Sequence, residues 1–358
     1  MNKLYIEDLE NTINNIKDID KLKNKTIFVF GSNGLVGSFI IDMIMYLNKN
    51  NNFNTTVIAN SRSKEKIENR FSEYLENKNF KYYIGDIKDE IRYNDHVDCI
   101  INCASNTHPL QYSTDPIGTI MTNIKGTDNV LKFASEKKVE KSIFLSSVEI
   151  YGENINSIER FKENEMGYID CNSLRAGYNE SKRAGEALCQ AYIAEKDIDI
   201  SIIRLPRLFG PTIKSDDTKA LSQFINKSVN KEDIILKSEG KQYFSYLYVA
   251  DAVSGIMRCL IAGKKGEVYN LGNLECDAHL KDLAQIAANI AGTKVIFDLP
   301  DETERKGYSK AMNARLDYSK AEKELDWKPQ YSIESGMERT ITQLKEKNDK
   351  TKSKIKLK

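Results

Sequence analysis

The sequence predicts an α/β fold: a doubly wound parallel sheet carrying a smaller mixed α/β lobe. Three observations carry this. Short apolar, β-branched runs alternate with helical patterns through the first two thirds of the chain. The first run meets a glycine-rich turn and then an apolar helix. Beyond about Pro211 the segments become shorter and mixed.

The elements follow in order. Residues 1–24 read as an amphipathic lead-in, with Ile6, Leu9, Ile13 and Ile16 at helical spacing. Strands are expected at TIFVF (26–30), TTVIA (55–59), KYYIGD (81–86), VDCIINCAS (97–105), KSIFLSS (141–147) and DISIIRL (199–205). Their continuous apolar character suits strands covered on both faces. Residues 25–211 therefore form the expected dinucleotide-binding domain, with the chain crossing back near 245–275. Residues 212–342 form most of a second, substrate-binding lobe, and the lysine-rich 343–358 reads as a flexible tail.

Bulk properties narrow the function. The chain has 358 residues, 40% hydrophobic and 29% charged, with a formal net charge of +1. That balance offers no general attraction for nucleic acid or an anionic membrane. No apolar run of about 18 residues is present, and the N-terminus has no secretory pattern. The six cysteines form no C-x-x-C pair and sit in apolar patterns, which favours reduced thiols and the cytoplasm. His96, His108 and His279 lack metal-ligand spacing, so no metal is expected.

The cofactor end is Gly31-Ser-Asn33-Gly34-Leu35-Val36-Gly37. Gly31 permits a tight turn, Gly34 lets the backbone approach a diphosphate, and Gly37 lets the next helix pack closely. The helix N-terminus then offers free N–H groups to phosphate. This is the Rossmann-type arrangement, and the strand–turn–helix context gives the glycine triplet its weight. At the end of the second strand, Asn60 stands where a carboxylate would select NAD. Arg62 follows and can pair with the 2′-phosphate of NADP, or simply be solvated. Asp86 is a candidate for the adenine amino group, or a turn aspartate. Ile87, Cys103, Ala104, Ser105 and Asn123 complete the candidate cofactor contacts.

The chemical end begins at Tyr178-Asn-Glu-Ser-Lys182, which sets a phenol and an ammonium on one helix face. A nearby positive charge lowers a phenol's pKa, so Tyr178 is expected as a base with Lys182 as its tuner. Ser147, at the end of the fifth strand, is placed to hold the reacting oxygen. Glu149, just beyond, is a candidate second acid or base.

At these residues the chain resembles the extended short-chain dehydrogenase/reductase family, in its NAD-dependent epimerase/dehydratase group. The likeness runs from about Lys25 to Thr342. It includes Asn123-Ile-Lys-Gly-Thr-Asp-Asn-Val-Leu131, Tyr248-Val-Ala-Asp-Ala-Val253 and Leu316-Asp-Tyr-Ser-Lys-Ala321. The stretch Arg175-Ala-Gly-Tyr-Asn-Glu-Ser-Lys-Arg183 is similar to UDP-glucuronate decarboxylases. Ser147-x-Glu149 is similar to those enzymes and to nucleotide-sugar 4,6-dehydratases.

The resemblance implies an enzyme that uses NAD or NADP to oxidise C4 of a nucleotide-activated sugar. It implies the same roles for Ser147, Glu149, Tyr178 and Lys182, a homodimer through helices near 119–135 and 178–195, and surface polysaccharide precursor synthesis. Three departures bear on the substrate. Val148 stands where dehydratases carry Asp, which disfavours loss of water. Arg207 stands where the family has Asn, and Phe244 where it has a diphosphate-binding Arg, so Arg207 is expected to replace that charge. Decarboxylation or epimerisation is the expected outcome. An NADPH-dependent keto-sugar reductase and a non-catalytic nucleotide-binding module are the alternatives.

Overall fold

The computed structural model describes residues 1–107, 109–299 and 312–356. Its centre is a seven-stranded, wholly parallel sheet. In chain order the first six strands are β1 (Thr26–Phe30), β2 (Thr56–Ser61), β3 (Phe80–Ile84), β4 (Cys99–Asn102), β5 (Lys141–Ser147) and β6 (Ile200–Leu205). They are followed by β7 (Arg207–Phe209), β8 (Ile234–Leu236), β9 (Tyr243–Tyr248), β10 (Val268–Asn270), β11 (Asp277–His279), β12 (Val295–Phe297) and β13 (Asn313–Ala314). The central order is β10-β6-β5-β4-β1-β2-β3, so the strand order reverses between β1 and β4. Ligands bind outside the carboxyl ends of strands at such a switch point.

Helices join these strands. They are α1 (Lys3–Asn14), α2 (Leu35–Asn51), α3 (Lys64–Arg70), α4 (Pro109–Thr114), α5 (Pro116–Lys137) and α6 (Ala176–Lys196). After β6 come α7 (Ala220–Val229), α8 (Val249–Ala262), α9 (Leu280–Ala291), α10 (Ser319–Leu325) and α11 (Ile333–Lys356). Period-two alternation sorts β1 between the two sheet faces. Ile27 and Val29 pack into the core shared with α2 and α8, whereas Phe28 and Phe30 join Phe133 of α5 and Cys189 of α6 on the other side.

A second sheet gathers β7, β9, β11 and β13, while β8 and β12 pair alone. Arg207 of β7 lies in register with Tyr246 of β9, which brings the segment after β6 beside Phe244. That pairing positions the substrate candidates.

The ends of the chain meet at Asp8. Its fully buried carboxylate accepts from Tyr248 Oη (2.6 Å), Gln343 Nε2 (2.7 Å) and Arg339 Nε (2.7 Å). The last helix runs through Lys356, and Thr340, Ile341 and Gln343 carry its buried face onto α1 and β9. His108 lies outside the described residues.

Asp8→Ala strands three donors, one of them charged. The expected loss is about 3 kcal/mol of unfolding free energy, read from the urea midpoint. An unchanged midpoint would remove Asp8 as the clasp of the two ends.

Candidate active site

The turn after β1 is shaped by two close approaches. Gly31 has φ +74°, and a Cβ there would lie 2.8 Å from Ala104 Cα. A Cβ on Gly37 would lie 2.6 Å from the Gly31 carbonyl oxygen. Only glycine satisfies both constraints, and together they draw the start of α2 against β1 and the end of β4. Gly34 caps α2 without any side-chain hydrogen bond, so no side chain occupies the helix's leading N–H groups. This donor set fits a diphosphate.

Around the turn, the expected contacts divide by role. Leu35 and Val36 open α2, and the Leu35 carbonyl accepts from Thr212 Oγ1 at 2.8 Å. The Asn33 amide donates to the Lys66 carbonyl at 2.9 Å, tying the turn to α3. Asn60 is buried; its amide donates to the Gly85 carbonyl at 2.9 Å, and its own carbonyl accepts from Ser32 Oγ at 2.8 Å. It therefore braces β2 against the loop after β3. Arg62 is exposed, 3.9 Å from Asp86 Oδ2. Asp86 Oδ1 also accepts from the Lys88 N–H, as a turn aspartate does.

Cys103 and Ala104 lie against the turn, with the Cys103 N–H donating to the Phe30 carbonyl. Ile87 packs on Gly126 of α5. Asn123 acts one layer back: it accepts from Ser105 Oγ (2.7 Å), donates to Ser181 Oγ (2.9 Å), and is buried.

Tyr178 lies in the first turn of α6, buried at the carboxyl edge. Hydrogen bonding with Ser147, Ser105 and Tyr112 favours its ionisation, but burial outweighs this and the Glu149 charge adds to burial, so its pKa is pushed up to about 12. Lys182 Nζ donates to the Leu145 carbonyl at 2.9 Å and sits over the Phe144 ring. Burial lowers its own pKa to about 8. The four-residue spacing aligns the two side chains on α6, but the lysine ends on β5.

Ser147 ends β5 and caps the next turn by accepting from the Glu149 N–H at 3.2 Å. Glu149 Oε1 accepts from Arg207 Nη2 at 2.9 Å. The Arg207 guanidinium lies 3.6 Å from the centre of the Phe244 ring, a cation–π contact. Its other terminal nitrogen, Nη1, is buried with no hydrogen-bond partner among the described residues.

Sequence reasoning missed Tyr112. Its ring stacks on Tyr178, centroids 4.7 Å apart at 21°, and burial followed by Tyr178 pushes its pKa well up. Nothing in the spacing around Tyr112 marks it, because the contact is made between α4 and α6. Among the described residues, no group of three or more His, Cys, Asp or Glu side chains gathers to hold a metal.

The fold is a Rossmann-type α/β architecture with its polar side chains collected at one sheet edge. Residues 27–272 match the model of the NAD dependent epimerase/dehydratase family, and the chain belongs to that family. It is 29% identical to UDP-glucuronic acid decarboxylase 3 of Arabidopsis thaliana, over 88% of this chain and 87% of that one. It is 27% identical to UDP-glucuronic acid decarboxylase 1 of Xenopus tropicalis, over 91% and 73%. A dTDP-glucose 4,6-dehydratase, DesIV of Streptomyces venezuelae, crystallised with NAD, shares the fold at TM-score 0.78 and 23% identity, over 90% and 98% of the two chains. So does the epimerase Mth375 of Methanothermobacter thermautotrophicus, at 0.80 and 20%, over 98% of each.

In protein without added dinucleotide, the phenol of Tyr178 should stay neutral to above about pH 10, its ordinary value. The phenolate absorbance difference between wild type and Tyr178→Phe checks this; a phenolate near neutrality would contradict it.

Proposed function

We propose that this chain oxidises a nucleotide-activated sugar at C4 and that decarboxylation or epimerisation follows. The observation that carries the reading is the buried Tyr178 phenol at the start of α6, with the Ser147 hydroxyl among the groups that act on it, in a chain of this family. Relatives named as UDP-glucuronic acid decarboxylases support a sugar acid as substrate.

In this reading Gly31, Gly34, Gly37 and the start of α2 hold the diphosphate of NAD or NADP. Asn33, Leu35, Val36, Ile87, Cys103, Ala104 and Ser105 line the same edge, and Asn60 and Asn123 brace it. When bound, the dinucleotide supplies reversible hydride acceptance at C4. Ser147 Oγ holds the C4 oxygen and Tyr178 takes its proton. A 4-ketone makes a C5 carboxylate a β-keto acid. The C5–carboxylate bond then breaks, CO2 leaves, and the electron pair passes to the C4 enolate. A proton returns to C5, and hydride and proton return to C4, so the reaction is redox-neutral overall.

Glu149 is the group nearest to hand for the C5 proton, held in place by Arg207. The unpaired Arg207 Nη1 is a ready donor for an anionic substrate group, with Phe244 as the platform beneath it. Loss of water is disfavoured because Val148, where an acid would be needed, is apolar and buried.

We further propose a homodimer through α5 and α6, supported by Ile117 and Met121 standing exposed on α5. A cytoplasmic role in surface polysaccharide precursor synthesis fits the free, mostly buried cysteines of the described chain and the activity. No helix among the described residues is long and apolar enough to cross a membrane.

Tyr178→Phe should lower turnover of UDP-glucuronate by about 10²- to 10⁴-fold, while the dinucleotide Kd stays within about twofold. Glu149→Gln should spare hydrogen transfer at C4 and CO2 release yet slow the proton transfer at C5, so that less finished product forms. Full turnover by Tyr178→Phe would sink the mechanism, and an unchanged product profile would remove Glu149 from it.

A further inference from the structure

A run of hydrogen bonds beside Tyr178 takes no part in the C4 chemistry as described. It starts at Ser105, just past β4, and ends on the backbone of Tyr178 itself. Ser105 Oγ donates to Asn123 Oδ1 of α5 at 2.7 Å. Asn123 Nδ2 donates to Ser181 Oγ of α6 at 2.9 Å. Ser181 Oγ donates to the Tyr178 carbonyl at 2.9 Å. Asn123, Ser181 and Tyr178 are buried, which shields these bonds from water.

The run has one direction. A backbone carbonyl only accepts, so the single Ser181 hydroxyl proton is committed to Tyr178. Ser181 must then accept from Asn123, which fixes the amide nitrogen toward α6 and the amide oxygen toward Ser105. That oxygen takes the Ser105 proton. The Ser105 oxygen is left with lone pairs to offer, and its hydroxyl is one of the groups that act on the Tyr178 phenol. Ser147 is another, but its oxygen already accepts from the Glu149 N–H.

We propose that Ser105 is a positioning residue for Tyr178, a second hydroxyl that aims the phenol in both of its protonation states. The inference rests on Tyr178 as the C4 base. While the phenol is neutral, it donates to a Ser105 lone pair. Once the phenol ionises, the Ser105 hydroxyl turns from Asn123 to the phenolate, and Asn123 keeps its hold on α6 through Ser181. Only a hydroxyl rotates, so no heavy atom need move. A hydrogen bond to the charged form stabilises it, so Ser105 eases ionisation of a phenol that burial otherwise holds neutral. The charged and titratable groups around the phenol are Glu149 with its partner Arg207, Tyr112 of α4, and Lys182 one turn along α6. Removing the Ser105 hydroxyl removes none of them.

Ser105→Ala in the full-length protein tests this. The phenolate absorbance of Tyr178, taken as the difference from Tyr178→Phe in each background, is titrated with saturating NAD+ and no sugar. The phenolate of Ser105→Ala should form about one pH unit higher than that of the wild type, the scale of a hydrogen bond to a charged group. Its NAD+ Kd should stay within about threefold. With UDP-glucuronate, kcat at neutral pH should fall about tenfold, the acid limb of the kcat profile should move up by the same unit, and KM should stay within about twofold. An unchanged thermal midpoint shows that the variant is folded. A phenolate and an acid limb that stay where the wild type places them, or move down, overturn the positioning role. A loss confined to the NAD+ Kd overturns it too and leaves Ser105 a cofactor contact. A wild type that binds NAD+ but never turns over UDP-glucuronate overturns the proposed function, while the phenolate titration still decides the role of Ser105.

Discussion

A parallel sheet delivers the carboxyl ends of all its strands to one edge, and the candidate site depends on that constraint. The order reversal between β1 and β4 opens a crevice at this edge. Into it come the glycine turn from β1, Cys103 and Ala104 from β4, and Ser147 from β5. The sheet can open there only because backbone meets backbone without side chains between, at Gly31 against Ala104 and Gly37 against Gly31. Tyr178 completes the edge from α6, which packs along α5 and the end of β5.

The same crowding sets the electrostatics. Tyr178 is buried among Tyr112, Ser105 and Ser147, and desolvation outweighs their hydrogen bonds. Burial likewise disfavours charge on Lys182, whose nitrogen donates to the Leu145 carbonyl of β5. The fold by itself therefore stores a neutral phenol, and a base must be made by what binds beside it: a positively charged nicotinamide is the natural agent. The opposite wall works differently. Arg207 pairs with Glu149, lies on Phe244, and keeps one buried nitrogen unpaired among the described residues. That unspent donor is the wall's clearest claim on an anionic ligand.

Much of this was legible in the residues. Strands buried on both faces read as continuous apolar runs, and β1 and β5 fall where those runs begin and end. The glycine spacing and the Tyr178–Lys182 interval place themselves by strand–turn–helix context. What escaped was decided by tertiary contact. Spacing sets Lys182 on the face of Tyr178, but only the packing of α6 on β5 shows where its nitrogen goes. Asn60 reads as a cofactor contact from its place at the end of β2, and only the fold shows that its amide also ties β2 to the loop after β3. Tyr112 carries no periodic or motif signal, because its partner lies on another helix. Composition gives no sign that Asp8 clasps α11 through Arg339 and Gln343, because that contact joins the two ends of the chain.

The central claim is that the site removes hydride from C4 of the sugar. Single-turnover reaction with UDP-glucuronate deuterated at C4, followed by mass spectrometry of the dinucleotide and product, addresses it directly. The account predicts deuterium on the nicotinamide while the reaction is under way, its return to C4 of the product, and slower turnover than with the protonated sugar. Product formed at an unchanged rate, with the label never leaving C4, would contradict it.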